Sequence, residues 1–315
     1  MDDLTPLVSR IRTASGVRAK LELDAVAEIL GGDGDDAGLI PIVDQWAGAV
    51  ATHRVPTSDI AADPWRAAHR GVVSALANVA ASGARAMALV SSPAGPVDTV
   101  RRMLAGVRDA ATAFDVPVLG GDTAVDDVPA LAVVAVGWTG RPLSCVNVRP
   151  GDRLVMVTTM EVAVRRPDAT RIVLDHLDGA RAERAAADLD LIPSLSDIGA
   201  AWAARDISRA GVVGTVIQLL ESAGGYGTSI DVDALPVPGG MPLGDYVTAA
   251  QTFGFVLAGD PARIRPEADA VGLTFRELGT VDSSGTVRLR RGDAEVPLWD
   301  LTQERLTGLR AGSLG

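Results

Sequence analysis

Three short segments of this 315-residue chain combine carboxylates and glycines in patterns suited to phosphate and metal chemistry. In GGDGDD, residues 31–36, the carboxylates of Asp33, Asp35 and Asp36 crowd together. Glycine frees the backbone here, so Asp35 and Asp36 need not diverge as neighbours in a strand do. Like charges this close repel unless water or a cation screens them. Hard oxygen ligands suit Mg²⁺, which takes one or two carboxylates and leaves its other positions to water and phosphate; the same residues also suit a solvated turn. In VPVLGGDTAV, residues 116–125, an apolar run read as a short buried strand (Val116–Leu119) leads into Gly120-Gly121, then Asp122 and Thr123. Paired glycines let backbone N–H groups approach an anion, and a carboxylate beside them holds the accompanying cation. A tight turn between core strands is the alternative. No Gly-Lys-Ser/Thr follows, so this is not a Walker A loop. In ARDISRAGVVGTV, residues 204–216, Asp206 and Ser208 precede an apolar helical run that either would cap. A helix N-terminus flanked by Arg205 and Arg209 also suits a phosphate or carboxylate.

Single residues add less. Lys20 is the one lysine among 29 basic residues, which reflects either compositional bias or a place that needs a compact ammonium. His53, His69 and His176 lack triad or metal-ligand spacing and read as structural. Cys145 is alone, which excludes an intramolecular disulfide and a multi-cysteine zinc site. The net charge of −11 argues against nucleic acid and anionic membrane as partners. Aromatic residues make up only 3%, too few for a base-stacking surface, whereas 47% hydrophobic residues suffice for a packed core. The acidic start, MDDLTPLVSR, lacks signal-peptide layout, and no uncharged apolar run reaches membrane-span length. A soluble, cytoplasmic protein is expected.

The length favours two domains. Periodicity predicts helix over 4–30 with a break at Ser15-Gly16, then strands at Leu39–Val43 and Trp46–Thr52 around an Asp44-Gln45 turn. Asp63-Pro64 opens a helix that stops at Gly83, followed by a strand over Arg85–Ser91, a helix over Pro96–Phe114 and a strand over Leu131–Thr139. Beyond a turn at Arg149–Asp152, Arg153–Thr158 reads as strand. Helices are expected at about 177–188, 195–205 and 209–223, and strands near 229–232, 253–258 and 286–290. The whole is a mixed α/β (α+β) protein with domains at 1–148 and 149–315.

These pieces, in this order, resemble the aminoimidazole ribonucleotide (AIR) synthetase superfamily, which includes thiamine monophosphate kinase and selenophosphate synthetase. GDDAG (34–38) is similar to its early acidic motif and DPWRAAHRGVVSALANVAASGARAMAL (63–89) to its long first helix and following strand. LGGDT (119–123) is similar to its phosphate-side motif and VRPGDRLVMV (148–157) to the lead into its second domain. Residues 194–238 look closest to the AIR synthase-related subgroup. The resemblance implies a two-domain fold whose N-terminal sheets pair into a β-barrel in a homodimer, with ATP near that interface and Mg²⁺ on its phosphates. By position, Asp35, Asp36 and Asp122 would be Mg²⁺ ligands, and Gly120, Gly121 and Thr123 would line the phosphates. Lys20 would lie near the nucleotide, and Asp206 and Ser208 on the acceptor side.

Two positions depart from the family pattern: His53 and Asn78 stand where members have acids. Asn78 keeps a carbonyl oxygen for coordination, and His53 offers a donor, a softer metal ligand or a general base. The leading expectation is an enzyme using ATP and Mg²⁺ to phosphorylate a carbonyl, amide or carboxylate oxygen of a small metabolite, activating it for attack or dehydration. Lys20 would neutralise developing phosphate charge, and Asp206 with Arg209 would position the acceptor. The alternatives are a kinase that ends at a stable phosphate ester, a non-catalytic dimer binding a nucleotide or phosphometabolite, and an ATP-independent enzyme with His53 as base.

Overall fold

The computed structural model describes residues 3–21, 23, 28–29, 34–43, 46–167, 171–176 and 182–309. Asp33, the expected helix beyond Leu21 with Ala25, Val26 and Leu30, and the expected Asp44-Gln45 turn lie outside these, apart from a few isolated positions. The chain begins with α1 (Thr5–Thr13) and α2 (Ser15–Leu21). Its contacts then divide it into two units, Asp36–Pro142 with Ala180–Asp197, and Met1–Asp35 with Leu143–Gly179 and Ile198–Gly315.

The Asp36–Pro142 unit is a sheet with helices on one face. Its strands are β1 (Gly38–Val43), β2 (Trp46–Arg54), β3 (Arg85–Gly95), β4 (Val118–Gly121), β5 (Ala124–Val125) and β6 (Ala130–Thr139), ordered β1-β2-β6-β3-β4 with β5 also on β3. After α3 (Thr57–Ala62), the helix α4 (Pro64–Ala81) starts as the sequence predicts, with Asp63 accepting from the Arg66 N–H at 3.3 Å and Pro64 in the first turn. Its small buried residues, among them Ala67, Ala68 and Ala75, admit α5 (Val97–Ala113) so closely that a Cβ on Gly106 would overlap the Trp65 carbonyl. Both helices pack on the sheet. The sheet's other face leaves Ile40, Ile42, Trp46, Val136 and Trp138 exposed, with the two indoles edge to face at 6.4 Å. A later segment, α6 (Ala185–Asp197), belongs to this unit: Arg85 donates to Asp190 at 2.8 Å and to Asp197 at 2.6 Å.

The other unit is built on β7 (Arg153–Thr158), β10 (Ala201–Asp206), β11 (Gly227–Asp231), β13 (Gly254–Gly259), β14 (Thr274–Asp282), β15 (Thr286–Arg291) and β16 (Ala294–Asp300), ordered β10-β13-β7-β14-β11-β15-β16. A small sheet holds β12 (Ala250–Gln251), β9 (Val173–Asp175) and β8 (Ala163–Arg165) in that order. Helix α7 (Gly211–Ser222) is buried along its whole length; α8 (Leu243–Thr248) and α9 (Pro261–Ala270) complete the unit. The helix expected over 195–205 is corrected. Gly199, at φ +66°, ends α6, and the alanine-rich stretch that follows pairs with β13 as β10. Alanine favours helix locally, but the sheet partner overrides that preference. The strand expected over Val116–Leu119 is likewise shifted to Val118–Gly121, and it is an exposed edge strand rather than a buried one.

Asp245, at the start of α8, joins two arginines, accepting from Arg166 at 2.8 Å and also from Arg10. The bond from Arg166, helped by the charge of Arg10, holds this carboxyl below the ordinary aspartate value of 3.8. A depressed value means that the triad stabilises the fold above the unfolded-state value and loses its contribution as pH falls through the folded one. Asp245→Asn is expected to cost about 1 kcal/mol at neutral pH, because both arginines are largely exposed. The cost should shrink as pH falls below 3.8 in urea titrations run as a function of pH. A cost that persists unchanged at low pH would rule out the ion pair as its source.

Candidate functional site

Edge strand β4 runs parallel to β3 with Leu89 opposite Val118, Val90 opposite Gly120 and Ser91 opposite Gly121. The skipped residue, Leu119, is a bulge, the device that re-aims a strand end. Gly121 then passes so close to β3 that any Cβ would overlap the Ser91 carbonyl oxygen. Gly120, at φ +142°, faces open space, with nothing within 4 Å of where its Cβ would stand. The chain rejoins β3 at Ala124. Gly120, Gly121, Asp122 and Thr123 are therefore an exposed tip in which open backbone lies next to a carboxylate and a hydroxyl. Such a tip can meet an anion through N–H groups and a cation through Asp122.

Asp35 and Asp36 are both half-buried. Asp35 accepts from the Cys145 N–H at 2.8 Å and from the Ser144 hydroxyl, which tethers the motif to the short 3₁₀ turn Cys145–Asn147. The carbonyl of Gly34 accepts from Arg205 and, at 3.3 Å, from Ser222. Arg205 is only 8% exposed, so the sequence-based pairing of Arg205 with Arg209 as anion receivers is corrected: its guanidinium holds the root of the acidic motif. Sequence reasoning missed Ser144 and Ser222 altogether. The available signal was that an arginine amid apolar residues needs an acceptor close by. Among the described residues, no three His, Cys, Asp or Glu side chains are grouped to hold a metal.

Lys20, Asp206 and Arg209 lie in one unit. A Cβ on Gly16 would overlap the Arg209 carbonyl, and Gly214 faces Val17, so α2 lies on the turn leading into α7. Lys20 is one helical turn beyond Gly16, on the same face of α2. Asp206 ends β10, and Gly254 accepts from the next N–H, that of Ile207, at 2.7 Å. The expected capping by Asp206 or Ser208 is corrected. The cap position is Ala210, which makes no side-chain bond. Gly211 opens the helix because a Cβ there would overlap the Val247 carbonyl, and this shifts the start past both polar residues.

His53, next to last in β2, has its ring edge 4.0 Å from where a Cβ on Gly71 would stand, so it faces α4. Asn78 lies two helical turns beyond Gly71, half-buried on the same stripe as Ser74. His69 packs on Trp65 at 5.1 Å between ring centres. His176 is buried, with Nδ1 2.6 Å from the Thr252 hydroxyl.

The family model described as AIR synthase related protein, N-terminal domain, matches residues 34–139, which span the acidic motif, α4 and the glycine-aspartate tip. An uncharacterised protein of Synechocystis sp. is 27% identical, covering 98% of this chain and all of its own. The thiamine-monophosphate kinase of Halobacterium salinarum is also 27% identical, over 88% of this chain and 96% of the kinase. The structure of T. maritima PurL complexed with ATP superposes with a TM-score of 0.69 at 19% identity, over 86% of this chain. This chain spans about half of that PurL chain, 47%. The motifs, the family model over residues 34–139 and the shared fold agree: the chain is similar along most of its length to proteins of the AIR synthase-like superfamily.

Proposed function

We propose that the chain is an ATP- and Mg²⁺-dependent enzyme that phosphorylates a carbonyl, amide or carboxylate oxygen of a small metabolite. The exposed Gly120-Gly121-Asp122-Thr123 tip is the observation that carries this reading. Similarity to a thiamine-monophosphate kinase and to a PurL solved with ATP supports it. The donor chemistry fits Mg²⁺, which needs only one or two protein carboxylates, and Asp122 and Asp36 are the residues assigned to hold it. Asp35 tethers the motif through Ser144 and Cys145 and retains lone pairs for a further contact. When bound, the cation supplies charge neutralisation on the phosphate oxygens.

The chain's own groups divide the remaining work. Gly120 and Gly121 present backbone N–H groups and Thr123 a hydroxyl to phosphate oxygens. Lys20 carries the positive charge that meets charge developing during transfer. Arg209 orients the acceptor, and Asp206 accepts a hydrogen bond from an N–H or O–H on it. Positioning and charge account for most of the catalysis in phosphoryl transfer, so these roles are adequate for rate enhancement. Asn78 contributes a neutral carboxamide where an aspartate would add charge. We also infer a homodimer in which the sheet face bearing Ile40, Ile42, Trp46, Val136 and Trp138 meets its copy, since monomers rarely expose a contiguous apolar face of this kind.

Calorimetric titration with the non-hydrolysable analogue AMPPCP should show binding that requires Mg²⁺. Asp122→Asn should weaken it on the order of 10-fold or more. Binding indifferent to both the metal and the substitution would remove Asp122 from the site. Trp138→Glu places a charge on the proposed contact face, so light scattering should find the wild type dimeric and the variant monomeric at the same micromolar concentration. A monomeric wild type would contradict the pairing.

A further inference from the structure

Glu221 is fully buried near the end of α7, so its carboxylate must be hydrogen-bonded in place. It accepts from the N–H groups of Leu306 at 2.9 Å, Thr307 at 2.8 Å and Gly308 at 3.3 Å, and from the Thr307 hydroxyl at 2.6 Å. Three consecutive residues thus wrap one side chain as an anion-binding turn wraps an ion. The Thr307 hydroxyl also accepts from the Leu309 N–H at 3.2 Å, extending the ordered segment by one residue.

That residue meets the acidic motif. Gly34 sits in the left-handed region at φ +77°, and a Cβ there would stand 3.1 Å from the Leu309 Cβ and would overlap the Ser222 hydroxyl. Ser222, the neighbour of Glu221, donates to the Gly34 carbonyl. Gly34 is therefore enclosed by Ser222 on one side and Leu309 on another, while Arg205 and Ser222 fix its carbonyl. Both flanking groups depend on the end of α7: Ser222 directly, and Leu309 through the bonds to Glu221.

We propose that Glu221 is a positioning residue for the Mg²⁺ site, acting through the strap Leu306–Leu309. By holding the strap against Gly34, it fixes the backbone from which Asp35 and Asp36 project. Glu221 itself touches neither metal nor nucleotide. This inference rests on the reading of Asp36 as a Mg²⁺ ligand given above.

The test is AMPPCP binding by the full chain, titrated across Mg²⁺ concentration, for wild type, Glu221→Gln and Thr307→Val, with thermal unfolding followed in parallel. Glu221→Gln removes the charge and half of the acceptor capacity. Thr307→Val deletes only the hydroxyl and leaves the backbone donors intact. The Mg²⁺ concentration for half-maximal binding should rise about 10-fold in Glu221→Gln, the low end for substitutions behind a ligand shell, and by less in Thr307→Val. Affinity at saturating Mg²⁺ should stay near that of the wild type in both. A lowered unfolding temperature with an unmoved Mg²⁺ midpoint would overturn the inference and leave the strap a structural element only. If Glu221→Gln does not fold, the Thr307→Val midpoint decides in the same way. Absence of Mg²⁺-dependent binding in the wild type would overturn the functional reading, and this inference with it.

Discussion

How closely β4 approaches β3 determines what the glycine-aspartate tip can do. A parallel edge strand ordinarily keeps a side chain between its backbone and solvent. Here the bulge at Leu119 and the missing side chain at Gly121 bring the backbone onto the Ser91 carbonyl, and Asp122 and Thr123 follow in exposed positions. The crossover helix α5 and the long helix α4 fix β3 from behind, so the tip is carried by a rigid element rather than a free loop. A bulkier residue at Gly121 would have to push β4 away from β3, and Asp122 would move with it.

The acidic motif is positioned by different means. Gly34 and Asp35 are held by hydrogen bonds from Arg205, Ser222, Ser144 and the Cys145 amide. These donors come from three separate stretches of chain within one unit. Burying Arg205 and Glu221 costs desolvation, and both are retained where each meets several polar partners. Held in this way, closely spaced aspartates resist the mutual repulsion that would otherwise splay them.

Local signals carried much of this architecture. Asp63-Pro64 at one end and Gly83 at the other marked α4, and Arg153–Thr158 read as a strand beyond the Arg149–Asp152 turn. The resemblance of residues 34–139 to the AIR synthase related N-terminal domain was legible because GDDAG, the α4 segment and LGGDT occur in register. Long-range features were not legible. Ala201–Asp206 is locally helical in composition and becomes a strand only because β13 lies beside it. Val118 and Leu119 read as buried because an apolar run does not disclose that its strand is an edge. Arg205 read as anion-facing because its acceptor, the Gly34 carbonyl, is 171 residues away in the chain. The helix α9 and the strands β14 and β16 left too little periodicity to be read.

The central claim is that nucleotide phosphates seat on the Gly120–Thr123 tip in the presence of Mg²⁺. Hydrogen-exchange mass spectrometry of the full chain, with and without Mg²⁺ and AMPPCP, tests this without knowledge of the acceptor. The account predicts slowed exchange in peptides spanning residues 118–125 only when metal and nucleotide are both present. Unchanged exchange there, with protection arising elsewhere or nowhere, would contradict it.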